Sequence, residues 1–323
     1  MTTKVSVIVC TFNRCDSLAG TLASLRALEV PPALDWEILV VDNNSSDRTR
    51  AVVEEFAHAA PVPTRYIFEP RQGLSHARNR GVAESDRELI LFTDDDVLVD
   101  PQWLRHTADA LLSGGAGCAG GKVVPLWQGL ARPSWLSNRM LNVLAMLDYG
   151  DGPAELGCAG DDRILYGANF AFRRGPLLEA GAFNPDLGRK GAFGAGEDKE
   201  IQEKLRQLGH KVFYEPRSVV FHRVDRERLS KKYFRLWHYN AGKDRARITH
   251  RSRLHVFGIE SYLLREFVQT AAKMLGALVV MNRQQAFEAQ LRCILYLSIF
   301  KHKLRRAFAG GADRAQTNAG PAT

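Results

Sequence analysis

The 323-residue chain has few cysteines and no long apolar run. Its five scattered cysteines form no CxxC pair and no clear zinc spacing, which favours reduced thiols over a disulfide framework. No uncharged apolar stretch approaches the roughly 20 residues of a membrane-spanning helix. The N-terminus has no signal-peptide pattern. We therefore expect a cytoplasmic protein, at most peripheral on the inner face of the cell membrane.

Two common phosphate-binding motifs are also missing. No GxGxxG follows the first apolar run, and GxxxxGK[ST] occurs nowhere in the chain. These absences argue against a dinucleotide site and against a P-loop. They leave open a site in which a metal ion meets the phosphates of a substrate.

Acidic residues are scarce in one segment, residues 223–253. It has eleven Lys and Arg but three Asp and Glu, and eleven minus three equals the net charge of +8 of the whole chain. The basicity is therefore one local patch. A hydrophobic fraction of 45% and a charged fraction of 25% are those of a folded globular protein. The length favours a core domain with an extension.

The most informative stretch is residues 88–97, ELILFTDDDV. Residues 89–92 are typical of a strand buried in a parallel sheet, and Asp94–Asp96 follow it at the edge where such sheets bind ligands. Carboxylates this close raise each other's pKa, and Mg²⁺ or Mn²⁺ relieves that cost. The stretch predicts a metal–phosphate site. A solvated acidic turn that caps the helix near Pro101 is the alternative.

Strands alternate with helices over the first hundred residues, which predicts βαβ units and a parallel, doubly wound sheet. Thr11 and Asn13 follow the first strand, and Asp42 and Asn44 follow the second, so they would line one rim with the acids. For residues 44–47 an ordinary polar turn is the alternative. The predicted strands cover residues 5–10, 36–41, 66–68 and 89–92, and the predicted helices cover residues 16–27, 48–58 and 76–82.

The pattern weakens beyond residue 100. Residues 126–163 have little periodicity and are predicted to form an acceptor-side loop region. Residues 183–196 contain four Gly and one Pro, a composition that predicts a mobile loop. Further strands are predicted at residues 122–125, 166–172, 212–214 and 219–221, and a further helix at residues 197–208.

Seven segments, in this order and spacing, resemble family 2 glycosyltransferases with the GT-A fold. The resemblance covers residues 4–223 and implies a nucleotide-binding fold with a mixed, mostly parallel central sheet. It also implies inverting transfer of a sugar from a nucleotide-diphosphate donor to a hydroxyl of a glycan or lipid-linked acceptor, with Mn²⁺ or Mg²⁺ as cofactor. The matching segments are residues 5–14, 37–49, 73–82, 89–97, 166–174, 196–205 and 219–223.

The resemblance implies roles for individual residues. Asp94 and Asp96 match the DxD pair, and Asp96 is expected to bind the metal together with His222. Asp198, in the Glu197–Asp198 pair, matches the general base. Without the family, His222 would be an ordinary histidine at a strand end. The expected nucleotide-sugar contacts are Thr11, Asn13, Asp42, Asn44, Arg78, Asp94 and Asp95.

We expect a catalytic domain at residues 1–223, with a nucleotide-binding half up to residue 100 and an acceptor-side half after it. A basic helical extension follows at residues 224–308, and a disordered tail at residues 309–323. The extension mixes cations with aromatic residues in KKYFRLWHY and carries two amphipathic patterns, which suits an anionic membrane surface. A helical cap packed on the catalytic domain is the alternative. Nucleic-acid binding is not favoured, since no recognition motif is present.

Two rival functions remain open at this point. A sugar-phosphate nucleotidyltransferase would also use a nucleotide crevice and a carboxylate-bound metal, but it predicts a Gly/Lys-rich phosphate loop after the first strand. The sequence CTFNRCDS lacks that loop. A non-catalytic protein that binds sugar nucleotides or glycans would need an impaired DxD pair or base, and both are intact in the sequence.

Overall fold

A computed structural model describes residues 2–158, 161–188, 196–246, 255–256 and 259–317, with no side chains described at residues 255–256 or beyond Arg306. The predicted mobile loop at residues 183–196 therefore lies partly outside the described residues. The chain divides into two compact units. The first comprises Met1–Leu130 and Leu144–Val224, and the second comprises Ala131–Val143 and Asp225–Thr323.

The first unit begins with strictly alternating strands and helices, as the sequence predicts. The strands are buried over consecutive residues because both of their faces are covered. These elements are β1 Thr3–Thr11, α1 Cys15–Arg26, β2 Leu34–Asp42, α2 Thr49–His58, β3 Thr64–Phe68, α3 Leu74–Glu84 and β4 Leu89–Asp94.

The remainder of the first unit is less regular. A short 3₁₀ turn at Gly167–Asn169 separates a long loop from the strand that follows it. The elements are β5 Val97–Val99, α4 Trp103–Ser113, β6 Ala116–Leu126, β7 Ala154–Leu156, β8 Phe170–Arg173, α5 Arg174–Glu179, α6 Glu197–Gln207 and β9 Lys211–Arg223.

The described strands of the first unit form one nine-stranded sheet in the order β3-β2-β1-β4-β8-β6-β9-β5, with β7 paired to β9. The first four are parallel, β8 runs antiparallel to both neighbours, and β6 and β9 are again parallel. The predicted mixed, mostly parallel sheet is confirmed. Its register sets Thr11 beside Asp42 and Cys10 beside Asp94. The predicted polar rim therefore exists.

Two strand predictions were wrong. In the predicted strand 166–172, Gly167–Asn169 form a 3₁₀ turn instead, because the Gly167 N–H points to the Asp198 carboxylate and not to a neighbouring strand. Residues 212–214 and 219–221 are not separate strands but parts of β9. Its pairing with β6 shifts register between Gly120 and Lys122. The resulting bulge accommodates Pro216, which has no N–H to give to a ladder.

The first N–H of α1 is satisfied by a side chain from another segment of the chain. Neither Asp16 nor Ser17 caps this helix, which begins at Cys15. Instead the Cys15 N–H donates to the carboxylate of Asp47, 2.9 Å away on the loop after β2. Asp47 also accepts from the Thr49 N–H at 3.0 Å, so one carboxylate serves the starts of two helices.

The second unit is largely helical, and the two amphipathic patterns of the predicted extension correspond to two long helices. Aromatic packing holds this unit together: Trp135 stacks edge-on against Phe234 and Phe287 at 5.1 and 5.4 Å. Trp135 thus belongs to this core rather than to an acceptor-side loop. The elements are α7 Lys231–Arg245, β10 His255–Val256, β11 Ile259–Glu260, α8 Ser261–Val279 and α9 Arg283–Thr317.

Helix α9 continues to Thr317, past residue 309 where the sequence predicts the tail to begin, and residues 318–323 lie outside the described residues. Within the described part of the chain, none of the helices combines the length and the apolar character needed to cross a bilayer.

Asn169 cross-links the sheet behind the site. Its amide oxygen accepts from Trp103 Nε1 at 2.8 Å, and its amide nitrogen donates to the carbonyls of Lys122 and Ser218, each at 2.9 Å. The side chain is fully buried. This amide favours one arrangement of the surrounding segments, because any shift would leave its buried partners without a hydrogen bond.

We predict that Asn169→Ala lowers the free energy of unfolding by about 3 kcal/mol, since it strands several buried polar groups. Urea denaturation followed by circular dichroism measures the change. Gln207→Ala, which removes an exposed amide from the same unit, serves as the control and should change stability by less than about 0.5 kcal/mol. Equal effects of the two substitutions would contradict the cross-linking role.

Candidate active site at the carboxyl ends of the strands

The predicted acids and His222 meet because of strand pairing. Asp94 ends β4, and the chain turns back at once into β5, whose Val97 pairs with His222 of β9. The Asp96 Oδ1 atom lies 3.2 Å from His222 Nε2. One ligand atom from each of Asp94, Asp96 and His222 falls within 4.8 Å of the others. The structure therefore brings the DxD pair and the histidine into one cluster.

This cluster fits a divalent cation. Adjacent ligands of an octahedral Mg²⁺- or Mn²⁺-type ion lie about 3 Å apart, close to the 3.2 Å between Asp96 and His222. His222 Nδ1 lies 3.0 Å from the Arg223 carbonyl oxygen, which can only accept, so Nδ1 carries the proton. With Nδ1 turned to this carbonyl, Nε2 is the ring nitrogen that would meet a cation in the cluster.

Asp95 points away from this cluster. Its carboxylate accepts a hydrogen bond from the Thr11 hydroxyl at 2.7 Å and lies 3.3 Å from Arg14 Nη1. The same Arg14 nitrogen contacts Asp96. Thr11, predicted as a base or ribose contact, is buried and has its hydroxyl on Asp95. Arg14 was missed as a site residue, and its only sequence signal is its place in the segment 5–14.

The aspartates are crowded, with Asp95 and Asp96 buried and Asp94 half-buried, and this crowding raises the pKa of two of them. Burial, and then the neighbouring Asp96, raise the pKa of Asp95 to about 7. Burial and Asp96 also raise the pKa of Asp94. Positive charge from Arg14 lowers the pKa of Asp95 in part. A cation held at this position would favour the ionised carboxylates.

A second charged cluster joins Arg78 to the Glu197–Asp198 pair. Arg78 is 3% exposed, and its Nη1 atom lies 3.1 Å from Glu197 and 2.8 Å from Asp198. Its guanidinium lies 5.0 Å from the ring centre of Phe170 and 5.2 Å from that of Phe183. Burial alone would lower the pKa of Arg78, but Asp198 and Glu197 raise it above its ordinary value.

The two carboxylates differ in access. The Asp198 side chain is 21% exposed and that of Glu197 only 7%. Burial, followed by the charge of Asp198, raises the pKa of Glu197 to about 7. Asp198 Oδ2 also accepts from the Gly167 N–H at 2.8 Å. Asp198 is therefore the better positioned of the two to meet a substrate, and Glu197 lies behind it.

Gln202, which the sequence did not single out, fixes the start of α6. Its amide nitrogen donates to the Asp198 carbonyl at 2.6 Å and to the Leu165 carbonyl at 2.9 Å. Its amide oxygen accepts from the Leu165 N–H at 2.8 Å. A buried glutamine one turn after Asp198 thus ties the helix to the loop before β8. Only its periodicity on the buried face of α6 signalled this position.

The predicted nucleotide contacts lie at the ends of β1 and β2. The Asp42 carboxylate accepts from the Tyr66 hydroxyl at 2.7 Å and from the Ser45 N–H at 2.9 Å. Asn13 and Asn44 are exposed and have φ angles of 51° and 68°. Asparagine tolerates this left-handed backbone better than most residues. The structure therefore explains both asparagines by turn geometry, and their contacts to a nucleotide stay predictions.

Comparison with known proteins identifies the class of enzyme to which this fold belongs, a glycosyltransferase. The model of the family described as "Glycosyl transferase family 2" matches residues 6–178. The chain belongs to this family.

Curated relatives are aligned over most of the chain. The glucosyl-dolichyl phosphate glucuronosyltransferase of Haloferax volcanii is 28% identical over 232 residues, which cover 68% of this chain and 69% of the relative. The succinoglycan biosynthesis protein ExoM of Rhizobium meliloti is 27% identical over 250 residues, covering 76% of this chain and 75% of the relative. The chain is thus similar to glycosyltransferases of glycan biosynthesis.

Solved structures support the same fold. A mannosyltransferase from Pyrobaculum calidifontis, solved with GDP-Man and Mn²⁺, has a TM-score of 0.56 and 19% identity, and the match covers 100% of this chain and 77% of that one. TarS residues 1–349 from S. aureus, solved with UDP, have a TM-score of 0.54 and 19% identity, with coverage of 96% and 92%. At such identity the likeness shows the GT-A fold alone.

The raised pKa of Glu197 predicts a pH-dependent stability. The folded state holds a proton between the ordinary value of 4.5 and about 7. Wild-type protein should therefore lose unfolding free energy as pH rises through this window, by at most about 1.4 kcal/mol per pH unit for one proton. In Glu197→Gln this part of the slope should vanish. Chemical denaturation in EDTA at several pH values measures how the unfolding free energy changes with pH.

Glu203→Gln, on the same helix but 46% exposed at its side chain, is the matched control for this prediction. Its pH profile should run parallel to that of the wild type. A Glu197→Gln profile that also runs parallel would show that Glu197 titrates normally.

Proposed function

We propose that this chain is a metal-dependent, inverting glycosyltransferase that moves a sugar from a nucleotide-diphosphate donor to a hydroxyl of a glycan or lipid-linked acceptor. The observation that carries the proposal is the pair of clusters around Arg78. The partly exposed carboxylate of Asp198 pairs with Arg78 at 2.8 Å, and the cation-type donor set is Asp94, Asp96 and His222. Asp94 and Asp198 both act electrostatically on Arg78, so the two clusters are neighbours.

On the donor side, Asp94, Asp96 and His222 would hold the divalent cation. When bound, the ion would offset the negative charge that develops on the leaving diphosphate. Arg14 holds Asp96 and Asp95 in place. Thr11 fixes the other face of Asp95. These contacts orient the carboxylates before any substrate arrives, which is the preorganisation that such catalysis needs.

On the acceptor side, Asp198 would act as the general base. Its carboxylate takes the proton of the acceptor hydroxyl as that oxygen bonds to the anomeric carbon, while the bond from that carbon to the diphosphate breaks. One base and one direct displacement invert the anomeric centre. The hydrogen bonds from Arg78 and Gly167 keep the carboxylate oriented and still leave it lone pairs for the acceptor.

The names of the relatives support an acceptor in glycan assembly. One relative is named for a transfer onto glucosyl-dolichyl phosphate, and another for succinoglycan biosynthesis. Family membership disfavours the sugar-phosphate nucleotidyltransferase. A non-catalytic binding protein is disfavoured because Asp94, Asp96 and Asp198 are all in place.

We predict that Asp96→Asn and His222→Ala abolish metal-dependent binding of the donor. Calorimetry against UDP-, GDP- and dTDP-sugars, with Mn²⁺, Mg²⁺ or EDTA, measures it. One of these sugars should bind wild-type protein at least about tenfold more tightly with metal than with EDTA. Asp109→Asn, an exposed aspartate on α4, is the control and should bind like wild type. Binding of a nucleoside triphosphate alone would instead support the nucleotidyltransferase.

We predict that Asp198→Asn lowers the transfer rate by about 10³-fold, within the range for loss of a general base, and changes donor affinity by less than about threefold. Single-turnover transfer and donor calorimetry on the same preparation separate the two effects. A loss of donor affinity as large as the loss of rate would place Asp198 on the donor side.

A further inference from the structure

The turn between α8 and α9 exposes large apolar side chains close together. Val279 is 82% exposed and Met281 77%. In contrast, Phe234 of the KKYFRLWHY segment is buried against Trp135 within the second unit. Exposed apolar groups that cluster in this way mark an interaction surface. Residues 275–281 form this apolar tip, with Leu275, Leu278, Val279, Val280 and Met281 as its exposed side chains.

The backbone makes the methionine in the tip informative. Met281 has a φ angle of 55°, and its N–H donates to the Leu278 carbonyl at 3.1 Å. The next N–H, of Asn282, donates to the Ala277 carbonyl at 2.8 Å. This is a Schellman helix end, where glycine is usual because a Cβ atom disfavours the left-handed backbone. Folding alone therefore does not explain an exposed methionine here, and such an exception points to function.

The tip is bordered by positive charge. Residues 267–287 include Lys273 and Arg283 but no acidic residue. Near the start of α9, Lys231 and Arg235 of α7 lie 5.1 and 5.4 Å from the ring centre of Phe287. Apolar side chains bordered by Lys and Arg complement a partner whose apolar interior lies beneath an anionic surface.

We infer that the apolar tip inserts into the interfacial region of an anionic lipid bilayer. Its apolar side chains would lie beneath the headgroups, and the bordering cations would meet lipid phosphates. A second copy of the chain fits less well, because a twofold contact would bring together two copies of a surface whose bordering charges, Lys273 and Arg283, are both positive. The inference locates the predicted membrane contact of residues 224–308 at this turn. It does not depend on the transferase chemistry.

Vesicle flotation with the purified full chain, without donor or added metal, tests the inference. Wild-type protein should float with phosphatidylcholine vesicles that contain roughly a third phosphatidylglycerol, and much less with phosphatidylcholine alone. Met281→Gly should weaken this binding at least about tenfold. The same substitution should not lower the melting temperature, since glycine relieves the left-handed position. Weaker binding without lost stability separates lipid contact from folding.

Two exposed valines on α8 provide a matched pair. Val279→Ser, in the tip, should weaken flotation, whereas Val268→Ser, 66% exposed and three turns earlier, should not. An equal loss of flotation in both variants would show that lipid binding extends along α8, and it would contradict insertion of the tip. Absence of wild-type flotation would also overturn it. So would a dimer, seen by light scattering, that Met281→Gly dissociates, since the tip would then bind a second copy.

Discussion

One buried guanidinium, that of Arg78, organises the candidate active site. A buried charge is tolerated only when it is paired, and removal of one partner typically costs about 3–5 kcal/mol. Arg78 has its partners on α6, in Glu197 and Asp198, and its aromatic neighbours in Phe170 and Phe183. The fold must therefore bring these segments together before the charge is satisfied. The contacts that satisfy this charge therefore also bring Glu197 and Asp198 to the candidate site.

The aspartates after β4 pose the opposite problem, because like charges lie close together in a buried place. The structure lowers this repulsion because the carboxylates point in different directions and Arg14 lies beside them. Asp95 turns toward Thr11 and Arg14, while Asp94 and Asp96 face His222. The carboxylate of Asp95 is thereby turned away from those of Asp94 and Asp96. The side that faces His222 keeps the donor set that suits a hard cation.

Local sequence pattern was sufficient to predict the alternating strands and helices of the first hundred residues. It was also sufficient to place Asp94–Asp96 at the edge of the sheet. Apolar runs that end in polar residues predicted β1, β2 and β4, and their parallel pairing follows from the intervening helices. The sequence pattern did not predict side-chain contacts between residues that are far apart in the chain. Arg14 reaches Asp96 across the sheet edge, and Gln202 reaches Leu165 through its side chain. Neither partner is visible from spacing, because each depends on tertiary packing.

Several residues other than glycine adopt left-handed backbone, and Asn13, Asn44 and Met281 are three of them. Asn13 and Asn44 adopt left-handed backbone where β1 and β2 end, and asparagine is among the residues that tolerate it. Met281 adopts the same backbone at the end of α8, where its side chain gains no burial. A residue type that is locally unfavourable and also exposed is not explained by the stability of the fold. Met281 differs from the asparagines because it belongs to a cluster of exposed apolar side chains, and this cluster points to a surface role.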